Sequence, residues 1–300
     1  MVDGHGNEVI ALFGPTGVGK TGVAIALADL LRVRKERPVA ISADALQVYR
    51  GLGTLTGAAT AHEQRRLEHR LVGFLPLEHE FSVGEFMPMA HAEIDAALAA
   101  GRRPIVVGGT GLYLRAALTE LDLKPAPPLE LRARIERELA ARGPEAMHAT
   151  LSPSAAATIE PTDRSRLVRA LELAEMGAEA EAPEESQLWT AETRVPTRLF
   201  GLTMERAALY ERIDARVDAM VAAGAADEVK RAARTASRTA RKALGFDELL
   251  GGDVEAMKRR TRNYAKRQLT WMRKLPNVHL IDTTSRTPLD VASEIVRLLA

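Results

Sequence analysis

The sequence contains no cysteine. Disulfides and thiolate metal sites are therefore excluded, and a reducing cytoplasm is the expected setting. No uninterrupted apolar run is long enough to span a bilayer, so no membrane association is expected. The opening residues, Met1-Val2-Asp3-Gly4-His5-Gly6-Asn7-Glu8, lack the basic start and apolar stretch of a signal peptide. Net charge is almost absent too, at +1, but that balance hides a segmented distribution. Between Arg169 and Arg194 lie Glu172, Glu175, Glu179, Glu181, Glu184, Glu185 and Glu192 with no Lys or Arg. From Lys230 to Lys274 there are fourteen Lys/Arg against Asp247, Glu248, Asp253 and Glu255, a local excess of +10. Such a patch attracts polyanions, or else forms solvated helix faces.

Three hundred residues, 46% of them hydrophobic, suffice for one large domain with a smaller insertion. Strand character is expected at residues 8–13, 38–44, 70–75, 105–107, 198–202 and 278–282. Helices are expected at 20–32, from Ser82 to about residue 100, from Leu112, through much of 205–274, and from Pro288. Ser82 with Glu85 has capping-box spacing, and Pro88 should kink that helix or delay its start. Strands alternating with helices predict a parallel sheet covered on both faces. The pattern changes at Asp122-Leu123-Lys124-Pro125-Ala126-Pro127-Pro128, after which only helical periodicity continues to about Gly177. The predicted fold is thus α/β: a P-loop NTPase-like core, residues 1–121 and 195–300 with basic C-terminal helices, and a helical insertion at 122–194.

Gly14-Pro15-Thr16-Gly17-Val18-Gly19-Lys20-Thr21 fits G-x-x-x-x-G-K-[ST] at every fixed position. In a strand–loop–helix context its backbone N–H groups cradle phosphate, Lys20 supplies charge and the Thr21 hydroxyl can ligate Mg²⁺. An ATPase or kinase also needs a carboxylate ending a later apolar strand. Here Ile105-Val106-Val107 runs into Gly108-Gly109-Thr110 instead. The strand that does end in an acid is the second, at Asp44, a residue type that also serves as a helix cap or Arg partner. A tightly held diphosphate then suits a reaction in which it leaves from carbon, with Asp44 taking a proton from the nucleophile.

Several stretches together resemble the tRNA dimethylallyltransferases (tRNA isopentenyltransferases), in the bacterial form that has no cysteine-based zinc finger. They are the phosphate loop; Ile41-Ser42-Ala43-Asp44 with Gln47-Val48-Tyr49; Val107-Gly108-Gly109-Thr110-Gly111-Leu112-Tyr113; Arg166-Leu167-Val168-Arg169-Ala170-Leu171-Glu172; Gly201-Leu202; Arg216-Val217-Asp218-Ala219-Met220; Ala243-Leu244-Gly245-Phe246; and Thr261-Arg262-Asn263-Tyr264-Ala265-Lys266-Arg267-Gln268-Leu269-Thr270-Trp271. The likeness runs in order through nearly the whole chain.

The resemblance implies transfer of a dimethylallyl group from dimethylallyl diphosphate to N6 of the adenosine 3′ to a tRNA anticodon. It further implies that Gly14, Thr16, Gly17, Val18, Gly19, Lys20 and Thr21 hold the diphosphate, and that Asp44 is the general base. Thr110 would contact the reaction centre, Arg262 would complete the diphosphate and Mg²⁺ site, and Thr21 would be the metal ligand. Contacts to the anticodon stem-loop map to Asp44, Ala45, Leu46 and Gln47; to Ser165, Arg166, Leu167, Val168 and Arg169; to Lys242, Gly245 and Phe246; and to Lys266, Arg267, Gln268, Trp271 and Arg273. A target base in a loop must be extruded into the cleft. Trp271 suits either an RNA surface or the core of its helix. A monomer is expected.

This chain departs from the family pattern in places. Ala45 stands where Ser is usual. Leu52-Gly53-Thr54-Leu55-Thr56-Gly57-Ala58-Ala59 replaces a stretch expected to read Asp-Ile-Gly-Thr-Ala-Lys-Pro, and Phe246-Asp247 replaces Tyr-Lys. The rival readings are an adenylate isopentenyltransferase with a free nucleotide acceptor, a P-loop kinase, and a non-catalytic RNA-binding relative. The basic C-terminal third favours tRNA over the first, and the missing strand-end carboxylate counts against the second.

Overall fold

The computed structural model describes residues 8–178 and 187–300. Glu179, Glu181, Glu184 and Glu185 of the acidic stretch lie outside the described residues. Six strands, β1 (Val9–Phe13), β2 (Pro38–Ala43), β3 (His69–Arg70), β4 (Arg103–Gly108), β5 (Thr197–Thr203) and β6 (Val278–Asp282), form one sheet in the order β3-β2-β4-β1-β5-β6. Every pairing is parallel. The strand before the phosphate loop, Val9-Ile10-Ala11-Leu12-Phe13, is central and wholly buried. Its unbroken apolar run is what a parallel strand covered on both faces requires. Alternate residues Ile10, Leu12, Ala40, Ile105 and Phe200 join one core with Leu27 and Leu31 of helix Lys20–Val33. The intervening Val9, Ala11, Val39, Ile41 and Val106 are equally buried on the other face.

Two expectations need correction. Helix Val83–Ala99 starts where Ser82 and Glu85 form a capping box, and Pro88 sits inside it without delaying it. Two orphan N–H groups are satisfied reciprocally in the first turn, and that fixes the start ahead of the proline. The strand expected at 70–75 shrinks to His69–Arg70, because Leu71 and Gly73 turn into positive φ, 59° and 60°. Leu75 rejoins only through an isolated bridge to Tyr49.

The chain divides into two compact units, residues 1–120 with 188–300 and residues 121–187. In the smaller unit, helices Leu129–Arg142 and Arg164–Glu175 close on Ile135, Leu139, Met147, Leu167, Val168 and Leu171. Glu172 is fully buried there and is bonded by Arg132 and Arg169, the pairing a buried carboxylate needs. Among the described residues no helix is long and apolar enough to cross a membrane.

Candidate active site

The phosphate loop leaves β1 and ends on helix Lys20–Val33, whose N-cap Gly19 has φ 100°; Gly17 has φ 84°. Both lie in the left-handed region that only glycine enters readily, and that geometry turns successive N–H groups to one side. Val18 between them is buried and anchors the loop in the core. Lys20 arches back over the loop, its Nζ donating to the carbonyls of Gly14 at 2.8 Å and Pro15 at 2.9 Å. Burial, then the positive charge of Arg216, push its pKa down to about 7 against the opposing pull of Asp44. With a pKa of about 7 this lysine is close to half protonated at neutral pH.

β4 lies beside β1 and ends in Gly108-Gly109-Thr110, so no carboxylate stands at the strand tip where a nucleotide hydrolase needs one. Asp44 follows β2, one strand further out. Its Oδ1 accepts the backbone N–H groups of Leu46 at 2.9 Å and Gln47 at 3.3 Å. The turn-capping role is therefore present and fixes the carboxylate. Its charge is felt at Lys20, Arg216 and Tyr264. Thr110 shares a 3.1 Å hydroxyl–hydroxyl hydrogen bond with Tyr264, whose pKa burial and the Asp44 charge raise to about 12. That phenol stays protonated.

These groups line one cleft of about 970 Å³. Of the residues expected in the site, it brings together Thr16, Gly17, Gly19, Lys20 and Thr21, then Asp44, Ala45, Leu46 and Gln47, then Thr110, Lys242, Arg267 and Gln268. Others fall elsewhere. Arg262 does not line the cleft; its Nη1 is clasped by both oxygens of Asp214 at 2.6 Å. Gly245 and Phe246 are buried, and Leu167 and Val168 belong to the core of the smaller unit with Ser165, Arg166 and Arg169 on the same helix. The side chains of Phe246, Leu167 and Val168 are packed away in the free protein, whereas Ser165 and Arg166 are exposed. Trp271 packs against Trp189 with centroids 4.6 Å apart and the rings tilted by 50°, and it lies over Gly111, where a Cβ would overlap its ring. Lys266 and Arg273 line a different depression.

Gln268 is only 5% exposed. Its Oε1 accepts Thr16 N–H at 2.8 Å and its Nε2 donates to Gly109 O at 2.7 Å, so it fastens the phosphate loop to the β4 turn. The cations that do border the loop are Arg212, whose guanidinium lies 3.2 Å from where a Cβ on Gly19 would be, and Arg216. No role had been assigned to either from the sequence. Their i,i+4 spacing puts both on one face of helix Arg206–Ala222, and that spacing was the available signal. Burial lowers the Arg216 pKa, with Asp44 opposing.

Among the described residues no group of three or more His, Cys, Asp or Glu could hold a metal. The Thr21 hydroxyl in the cleft wall is nevertheless a fitting single ligand for Mg²⁺, which keeps waters and phosphate oxygens as its other partners.

Residues 47–275 match the family described as IPP transferase, and residues 7–73 match that described as isopentenyl transferase. The tRNA dimethylallyltransferase of Thermobifida fusca is 40% identical over 305 residues, covering 97% of this chain and 94% of that one. That of Symbiobacterium thermophilum is 40% identical over 308 residues with the same coverage. Among solved structures, the tRNA isopentenylpyrophosphate transferase of Bacillus halodurans superposes with TM-score 0.69 at 33% identity, covering 98% and 97% of the two chains. A eukaryotic dimethylallyltransferase captured acting on tRNA gives 0.71 at 25% identity, covering 93% of this chain and 74% of that one.

Proposed function

The chain belongs to the IPP transferase (tRNA dimethylallyltransferase) family, and we propose that it moves a dimethylallyl group from dimethylallyl diphosphate to N6 of the adenosine 3′-adjacent to a tRNA anticodon. The observation that carries this reading is the pairing of an intact phosphate loop with Asp44 across the cleft and Gly108-Gly109-Thr110 at the β4 tip. The site holds a diphosphate and offers a base, without the strand-end acid of a hydrolase.

The chain's own groups divide the work. Loop N–H groups, Lys20, Arg212 and Arg216 hold the diphosphate and stabilise charge as the C1–O bond breaks. The N6–C1 bond forms, and Asp44, held by the Leu46 and Gln47 amides, takes the N6 proton. Thr110 and the protonated Tyr264 border the same space and share one hydroxyl–hydroxyl hydrogen bond, which leaves one O–H of the pair to donate into the cleft. Mg²⁺, bound through Thr21 and the diphosphate, would add positive charge on the leaving group. An adenine amine is a weak nucleophile, so orientation and leaving-group stabilisation supply most of the acceleration.

Asp44→Asn tests the assignment. Loss of a general base costs about 10²–10⁴ in rate, and transfer should fall by at least about a hundredfold while tRNA affinity stays within about threefold. An equal loss of both would make Asp44 a positioning residue only.

A further inference from the structure

Helix Val254–Met272 carries an exposed crest that includes Asn263, Lys266, Arg267 and Thr270. On one flank Tyr264, Arg267 and Gln268 line the cleft already described. On the other, Lys266, Leu269 and Thr270 line a second pocket of about 500 Å³. The 3–4 spacing within each set places them on different faces of one helix. Helix Arg206–Ala222 contributes Leu209 and Tyr210 to this second pocket, and Leu280 of edge strand β6, 62% exposed, closes its side.

The two flanks repeat one chemistry. Toward the cleft, the Arg267 guanidinium lies 5.4 Å from the Tyr264 ring centre. Toward the second pocket, Lys266 lies 5.9 Å and Arg206 5.4 Å from the ring centre of Tyr210. Arg206 Nε also donates to Tyr210 Oη at 3.2 Å, which holds the ring's edge. Arg273 adds a further cation to the rim, and among the described residues no carboxylate lines the pocket. Apolar walls, one aromatic ring and a rim of exposed cations are the makings of a site for an unstacked nucleotide. A partner protein of ordinary charge would leave three cations without acidic company.

We infer that this pocket receives a second extruded nucleotide of the RNA whose target base enters the cleft, with its base on Tyr210 and its phosphate among Arg206, Lys266 and Arg273. An α-helix with side chains is about 10–12 Å across, so one RNA loop straddles the crest and fills both depressions. The inference rests on the proposed function and deepens it: it names a second nucleotide as a determinant of recognition.

The test compares tRNA kinetics of the wild-type protein and Tyr210→Ala. Loss of one stacking platform should raise the KM for tRNA about tenfold, with the KM for dimethylallyl diphosphate unchanged and Tyr210→Trp retaining wild-type behaviour. Anticodon stem-loops with a single abasic site at each position flanking the target then identify the nucleotide. At one position the abasic loss should be large in the wild type and absent in Tyr210→Ala. Arg206→Gln combined with Arg273→Gln gives the same KM comparison should Tyr210→Ala fail to fold. An unchanged KM for tRNA in the folded variants, or abasic losses that add to Tyr210→Ala at every position, overturns the inference. AMP binding that Tyr210→Ala abolishes without any effect on the KM for tRNA reassigns the pocket to a free nucleotide and also overturns it. Absence of transfer to any RNA by the wild-type protein is the different result that overturns the proposed function.

Discussion

The side-chain amide of Gln268 and the backbone of Thr16 lie 252 positions apart in sequence and are joined by a 2.8 Å hydrogen bond. The other end of the same amide donates to Gly109 O. One residue thereby sets the spacing between the phosphate loop and the turn that carries Thr110. Truncating it leaves a backbone N–H and a carbonyl unpaired in the site wall, at about 1–3 kcal/mol each. Gln268→Ala should lower the melting temperature and raise the donor KM, and Gln268→Glu, which keeps the acceptor but loses the donor, should fall between. Weakened tRNA binding with donor KM unchanged would instead make Gln268 an RNA contact.

Lys20 gives the donor site a pH signature. With its pKa near 7 in the free protein, it is mostly neutral above that pH, whereas a bound diphosphate favours its ammonium form. Binding therefore takes up a proton above about pH 7, and donor Kd should rise by up to about tenfold per pH unit there and level off below. Calorimetry from pH 6.5 to 9 in buffers of different ionisation enthalpy reads both Kd and the proton. Lys20→Met should abolish the proton uptake; an equal uptake in that variant would assign it to another group.

The departure at residues 52–59 has a visible partner. Gly57 has φ 59°, and a Cβ there would overlap Arg216 Nη2 and lie 2.8 Å from its Cζ and 3.0 Å from Met220 Cε. Glu228 secures the same segment by accepting Thr54 N–H at 3.1 Å and Leu55 N–H at 2.8 Å. Gly57→Ala should displace the guanidinium, raise donor KM about tenfold and move the Lys20 pKa upward, since Arg216 is one cause of its depression. In an Arg216→Ala background the same change should add nothing. Additive losses would show that strain at a left-handed residue, and not the guanidinium, is responsible.

Lys266 and Arg267 stand exposed on the crest of their helix. Replacing both with Ala should weaken tRNA binding at low salt and flatten its salt dependence. For two contacts to single-stranded phosphates the slope of log K against log salt falls by about 1.4. An unchanged slope would mean that neither meets phosphate.

What was legible in the sequence is what is local. The phosphate loop, the Ser82 cap and the buried β1 run are dictated by neighbours within a few residues, and the strand–helix alternation led to the parallel sheet. Asp44 was legible because it ends a strand. Arg212 and Arg216 reach the loop only because a helix nearly two hundred residues downstream packs on it, through Leu209 and Ile213 beside Gly17. Arg262 reads as an equally good cation until Asp214, on helix Arg206–Ala222, is seen to hold it. Trp271 and Phe246 are aromatic residues in a basic stretch, and only the structure shows that Trp271 packs against Trp189 and that Phe246 is buried. Long-range packing decides which charges meet the cleft: the i,i+4 spacing of Arg212 and Arg216 marks a shared helix face, but not what that face packs on.

The central claim is that the phosphate loop grips a leaving group while carbon moves to an RNA base. Dimethylallyl diphosphate labelled in its prenyl group, incubated with Mg²⁺ and unmodified tRNA, AMP or neither, tests it most directly. Label is expected in tRNA alone, at the adenosine beside the anticodon, with release of one diphosphate per transfer. Label in AMP, or ATP consumption without prenyl transfer, would contradict the account.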